Sequence, residues 1–95
     1  MIAEKQNQAM SPVATLMKMV IISLVDEPGQ VSITEITGHA STVIEVRTAP
    51  RDLGKLVGRR GRTADALRTL LIGLSGKARR RFLLELIEPR RAVAP

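Results

Sequence analysis

The chain has 95 residues, enough for one domain with a single modest core, and no cysteine, which excludes a disulfide framework or a thiolate metal site. Its formal net charge is +6, and its only aromatic residue is Phe82, which argues against modules that stack bases on aromatic platforms but not against grip on a nucleic-acid backbone. Residues 1–50 carry three basic and five acidic side chains (net −2) and residues 51–95 carry twelve and four (net +8); a basic half on a small domain points to a polyanionic partner.

Residues 1–10 are polar without a sustained period and are expected to form a flexible N-terminal arm. Ser11-Pro12 is a good helix start, with Ser as N-cap and Pro at the first helical position. Val13, Leu16, Met17, Val20, Ile21 and Leu24 then recur at helical spacing as one apolar stripe, closed by Asp26-Glu27-Pro28-Gly29. The apolar run from Met19 to Val25 is interrupted upstream by Lys18 and is too short to span a bilayer; DEPG after it is a poor signal-peptide cleavage site. A cytoplasmic protein without a membrane partner is the expectation.

Val31–Thr37 and Thr42–Thr48 are rich in β-branched residues and largely alternate, with Ile44 and Val46 on one face and Val43, Glu45 and Arg47 on the other. Gly38-His39-Ala40-Ser41 between them predicts a hairpin. Ala49-Pro50 opens a short helix with Asp52 in its first turn, where a negative charge suits the dipole, and with Leu53, Leu56 and Val57 as its apolar face. It breaks at Gly58. A longer helix resumes near Arg62, with Leu67, Leu70, Leu71 and Leu74 facing inward and Ser75-Gly76 at or near its end. Phe82–Glu88 reads as a last strand, stopped by Pro89, and residues 89–95 as a basic C-terminal tail. The order helix, strand, strand, helix, helix, strand predicts an α+β fold of two layers, with three helices on one face of a three-stranded sheet. The other face would be open, with Leu83 and Ile87 on it.

The segment LVGRRGRTADAL, residues 56–67, carries the chemistry. A tight Gly-x-x-Gly turn between two helices puts several backbone N–H groups on one exposed loop. Gly58 and Gly61 lack Cβ atoms, so a phosphodiester can approach the main chain. The start of the second helix adds N–H donors and a partial positive charge, and Arg59, Arg60 and Arg62 add full charges. Such a loop holds a nucleic-acid backbone without reading a base.

With that loop in that element order, the sequence resembles a type II KH domain. Residues 49–71, APRDLGKLVGRRGRTADALRTLL, closely resemble the equivalent stretch of the small bacterial single-KH proteins called KhpA, and the resemblance extends over about residues 12–88. It implies a mixed sheet, a domain spanning residues 11–88, and single-stranded RNA as the partner, clamped over about four nucleotides. It also implies site residues. Gly58 and Gly61 would be the motif glycines, Arg59 and Arg60 its phosphate-contacting variable positions, and Lys55 and Arg62 the flanks of the backbone track. Val57, Ala64 and Leu67 would form the apolar side of the groove, with part of the second strand opposite. Arginine at both variable positions implies a strongly electrostatic grip. KhpA-like proteins are similar in being linked to self-association and to a second, larger KH-containing protein, KhpB, so a homodimer or such a heterodimer is implied.

Blander alternatives fit less well. Glycines serve any helix–helix turn, but a turn alone does not call for three arginines. A DNA-reading helix-turn-helix would not come with these two strands and this Gly-rich loop. Lys77 to Arg81 is a charge run that reads as a solvated loop, with a second phosphate track as the alternative, and His39 reads as a hairpin-loop residue. No Ser-His-Asp set, P-loop, metal cluster or paired carboxylate is present, so neither enzyme activity, metal nor cofactor is expected. The expected function is low-specificity binding of single-stranded RNA, as an RNA chaperone or post-transcriptional regulator. The rival is a KH-fold adaptor that binds protein and little RNA.

Overall fold

The structure, a computed structural model, describes residues 10–88. The expected N-terminal arm, Met10 excepted, and the basic tail lie outside the described residues.

Helix α1 spans Pro12–Leu24. The Ser11 hydroxyl accepts the Ala14 N–H at 3.1 Å, and Pro12 takes the first helical position, where no N–H is needed. Ala14, Met17 and Ile21, spaced three and four apart, are its buried stripe. A 3-10 turn at Pro28–Gln30 leads into strand β1, Ser32–Thr37, which pairs antiparallel with β2, Ser41–Arg47. A second 3-10 turn at Pro50–Asp52 leads into the short helix α2, Leu53–Val57. Helix α3 runs from Arg62 to Ala78, and strand β3 from Arg81 to Leu86.

The sheet order is β1-β2-β3, with β3 parallel to β2. A parallel neighbour cannot be reached by a tight turn, so α2 and α3 form the crossover. Thr42, Ile44 and Val46 of β2 and Phe82 and Leu84 of β3 point to the helices and are buried. They meet Met17 and Ile21 of α1, Leu56 of α2 and Leu67 and Leu71 of α3 in one core. Each large side chain so buried contributes about 1.5–3 kcal/mol of transfer free energy. Glu35 pairs with Ile44, and its Oε1 accepts the Ser11 N–H at 2.8 Å, tying β1 to the start of α1.

Several expectations shift. Val31 and Thr48 fall just outside their strands. Helix α3 passes through Ser75-Gly76, because the left-handed cap is Arg79 (φ 56°) and not a glycine. The Ser75 hydroxyl instead donates to the Leu71 carbonyl at 2.7 Å and accepts the Phe82 N–H at 3.0 Å, joining the helix to β3. Leu70 does not face inward and is 38% exposed. At ~100° per residue it stands about 60° from Leu67, on the side away from Leu71. The last strand ends at Leu86, so Ile87 lies beyond it, its N–H bonded to the Val46 carbonyl at 2.9 Å. The apolar row on the open face is Ile36, Val43 and Leu83, aligned by the register of the three strands.

Candidate nucleic-acid interface

Between α2 and α3 the chain turns through Arg59–Gly61, one turn of 3-10 helix. Of the four residues from Gly58 to Gly61, three have positive φ: Gly58 at 77°, Arg60 at 56° and Gly61 at 73°. Gly58, with ψ 172°, is in a region open essentially to glycine alone. Space also demands glycine there, since an added Cβ would stand 2.7 Å from Thr63 Cβ and 2.8 Å from the Thr63 backbone nitrogen. At Gly61 there is open space, and only the left-handed backbone favours glycine.

The loop uses part of its own hydrogen-bonding capacity. The Gly58 N–H closes α2 on the Gly54 carbonyl at 2.8 Å, the Gly61 N–H reaches the Gly58 carbonyl at 3.1 Å, and the Arg62 N–H reaches the Arg59 carbonyl. Fewer donors are thus free than the sequence led us to expect. No side chain caps the start of α3, which leaves its first turn without the usual side-chain acceptor. Arg59, Arg60 and Arg62 are exposed, and none forms an ion pair among the described residues.

Beside the loop lies an open groove of about 700 Å³. Val57, Gly61 and Ala64 line its helical side, while Leu84, Glu85 and Leu86 of β3 line the other. The opposite wall is therefore β3, with Val43 the only contribution from β2, because β3 occupies the sheet edge next to α3. Arg68, Asp65 and Glu88 complete its polar lining. Carboxylates stand on both sides, Asp65 on α3 and Glu85 and Glu88 on the β3 side, and disfavour an anion inside the groove, whereas the exposed arginines of the loop at its end favour one.

The nine residues singled out from sequence are placed unequally. Val57, Gly61 and Ala64 line the groove, Gly58 shapes the turn, and Arg59, Arg60 and Arg62 stand exposed at its end. Leu67 lies in the core beneath. Lys55 turns elsewhere: its Nζ is 3.1 Å from Asp26 Oδ2 and 3.8 Å from Asp52 Oδ1. Arg68, Leu84 and Leu86 were missed. Their place depends on which strand flanks α3, which only a right-handed parallel crossover could have indicated.

Asp52 is more than a helix-dipole residue. It is fully buried, and its two carboxylate oxygens accept the N–H groups of Asp26 (3.1 Å) and Glu27 (3.0 Å). Burial by itself raises its pKa, but those two hydrogen bonds, with Lys55 and Arg51 nearby, more than offset this and hold the carboxyl below its ordinary value. Asp52 thereby fastens the start of α2 to the end of α1. Arg80 likewise has a structural role, donating to the Gly38 carbonyl at 2.6 Å and to Thr42 Oγ1 at 2.9 Å, so it braces the β1–β2 hairpin and is not free for phosphate. His39 sits exposed at the hairpin tip.

Three helices packed on a mixed three-stranded sheet, with a Gly-x-x-Gly turn between the second and third helices, define a KH domain of type II. Comparison with known families is specific: the family described as KhpA/KhpB, KH domain, matches residues 14–86. The chain belongs to that family. It is similar to proteins named RNA-binding protein KhpA from Caldanaerobacter subterraneus (43% identity, covering 76% of this chain and 96% of the relative) and Borreliella burgdorferi (42%; 77% and 89%). A third, from Aquifex aeolicus, is 40% identical over 83% of this chain and all of the relative. Among the described residues no helix is long and apolar enough to cross a membrane, and no group of His, Asp and Glu is placed to hold a metal ion.

Proposed function

We propose that this protein binds single-stranded RNA, with the Gly58–Gly61 loop as the phosphate clamp and the groove between α3 and β3 as the seat for the bases. The observation that carries this is the coincidence of three exposed arginines with a turn whose glycines bring the main chain to the surface at the mouth of a groove. The names of the relatives support it. Phosphate contacts hold the strand in register, and the aliphatic floor accepts bases without much discrimination. Lys55 acts indirectly, by helping to fix α2 against α1.

One KH groove covers about four nucleotides, so affinity is modest and salt-sensitive. Selective binding requires a second groove, supplied by another copy or by a KhpB-like KH protein, which multiplies affinity through effective concentration. A role as an RNA chaperone or post-transcriptional regulator in the bacterial cytoplasm follows from such weak, general binding, and no catalytic step is assigned. A second reading, as an adaptor, is favoured by one feature, the apolar row Ile36, Val43 and Leu83 on the open sheet face.

The test is fluorescence anisotropy with short labelled RNA across a salt series, comparing the protein with an Arg59→Asp, Arg60→Asp variant whose fold is verified by circular dichroism. Loss of most binding is expected, with a log–log salt slope smaller by about 1.4 for two lost phosphate contacts. Equal binding by both proteins would remove the loop from the interface and leave the adaptor reading in its place.

A further inference from the structure

A second pocket, of about 350 Å³, continues from the groove along α3 and β3. The two share Arg68, Leu83 and Leu84. Its floor is apolar, built on Leu71 and Phe82, and its edge carries Ile72, 71% exposed one turn beyond Arg68. Arg68 and Arg81 are the charged residues of its lining, and no acid belongs to it. Neither arginine has an ion-pair partner among the described residues. The polar Ser75 hydroxyl is already engaged both as donor and as acceptor.

We propose that the strand clamped by the Gly58–Gly61 loop continues into this pocket, where Arg68 and Arg81 take backbone phosphates and Ile72 and Leu83 carry the face of a further base. The inference rests on the RNA-binding reading of the loop. Continuity with the groove gives the strand a path, and two unpaired cations over an apolar floor match a nucleotide, which is anionic at one end and flat and weakly polar at the other. With Ser75 engaged and both arginines directed to phosphates, no other side chain of the lining carries a hydrogen-bonding group to read the base, so the subsite accepts any of the four. A second copy of the chain fits less well, because a two-fold contact would set this patch against itself and bring four arginines together without an acid.

The test is a length series of labelled single-stranded RNA, three to nine nucleotides, in oligo(U) and oligo(A). The wild type is compared with Arg81→Glu, with Arg79→Glu (the same charge change just outside the pocket) and with the Arg59→Asp, Arg60→Asp variant. Wild-type affinity should rise with length and level off one or two nucleotides later than that of Arg81→Glu. Arg81→Glu should lose on the order of tenfold for the longest oligomers, the scale of one base platform together with one phosphate contact, and little for the shortest. Arg79→Glu should keep the wild-type plateau, and both base compositions should behave alike. The same plateau length in wild type and Arg81→Glu, or identical losses for Arg79→Glu and Arg81→Glu, would overturn the subsite while leaving the loop clamp intact. Loss of a dimer in sedimentation on Ile72→Ser, with the length profile unchanged, would overturn it in favour of a contact between copies. Undiminished binding by the loop variant would sink the clamp itself, an outcome distinct from the others.

Discussion

Thr63 occupies the space that any side chain at Gly58 would need: a Cβ there would lie 2.8 Å from the Thr63 backbone nitrogen. The first turn of α3 is thereby packed directly onto the end of α2, and the arginines between them are forced outward. Gly58→Ala should therefore cost more than Gly61→Ala, where only the left-handed backbone is at issue. For Gly61→Ala we expect about 1–2 kcal/mol, and for Gly58→Ala a clearly larger loss, since backbone must also move. Urea unfolding of both variants checks the order, and equal losses would contradict it.

Arg60 offers a way to separate charge from fold. It is a non-glycine residue at φ 56°, so Arg60→Gly relieves backbone strain while adding chain entropy to the unfolded state. These nearly cancel, and folding stability should change by less than about 1 kcal/mol. RNA affinity should nonetheless fall, with a salt slope smaller by about 0.7. Unchanged affinity would show that Arg60 does not touch the phosphates.

The buried Asp52 carboxylate predicts a pH signature. Its pKa in the folded state is lowered, so the stability it confers is present above the ordinary carboxylate pKa and is lost as pH falls through the folded value. Asp52→Asn keeps a side-chain oxygen for one of the N–H groups of Asp26 and Glu27 but loses the charge and the second acceptor. It should unfold at lower urea than the wild type at pH 7, and the gap should narrow below about pH 4. A gap that stayed constant through acid would mean that the charge contributes nothing.

Arg80 should behave as a brace. Arg80→Ala removes donors to the Gly38 carbonyl and to the buried Thr42 hydroxyl, at a cost of about 1–3 kcal/mol. Hydrogen exchange should rise at Gly38, whose N–H bonds the Ser41 carbonyl at 2.8 Å, while the salt slope for RNA stays at the wild-type value. A changed slope would place Arg80 on the phosphate track instead.

Much of the architecture is legible along the chain because it is set by neighbours in sequence. Ser11-Pro12 marks a helix start wherever it packs, and Gly58 and Gly61 mark a turn with positive φ. The alternation of Thr42, Ile44 and Val46 fixes which face of β2 is buried. The end of α3 was less legible. Ser75-Gly76 carries a stop signal, but the Ser75 side chain found partners in Leu71 and Phe82, and packing on β3 let the helix run on to Ala78. A local preference worth about 1 kcal/mol yields readily to tertiary contacts.

By itself the sequence determined the element order, the position of the Gly-x-x-Gly turn and the concentration of positive charge around it, since each depends on residues a few positions apart. Only the tertiary structure decided that β3 rather than β2 walls the groove, that Asp52 is a buried tether between α1 and α2, and that Lys55 and Arg80 are engaged within the fold. Those relationships join residues far apart in the chain. Which distant groups meet is fixed by the order and direction of strands in the sheet, and a charged side chain shows nothing in sequence of whether its partner is solvent, a ligand or its own backbone.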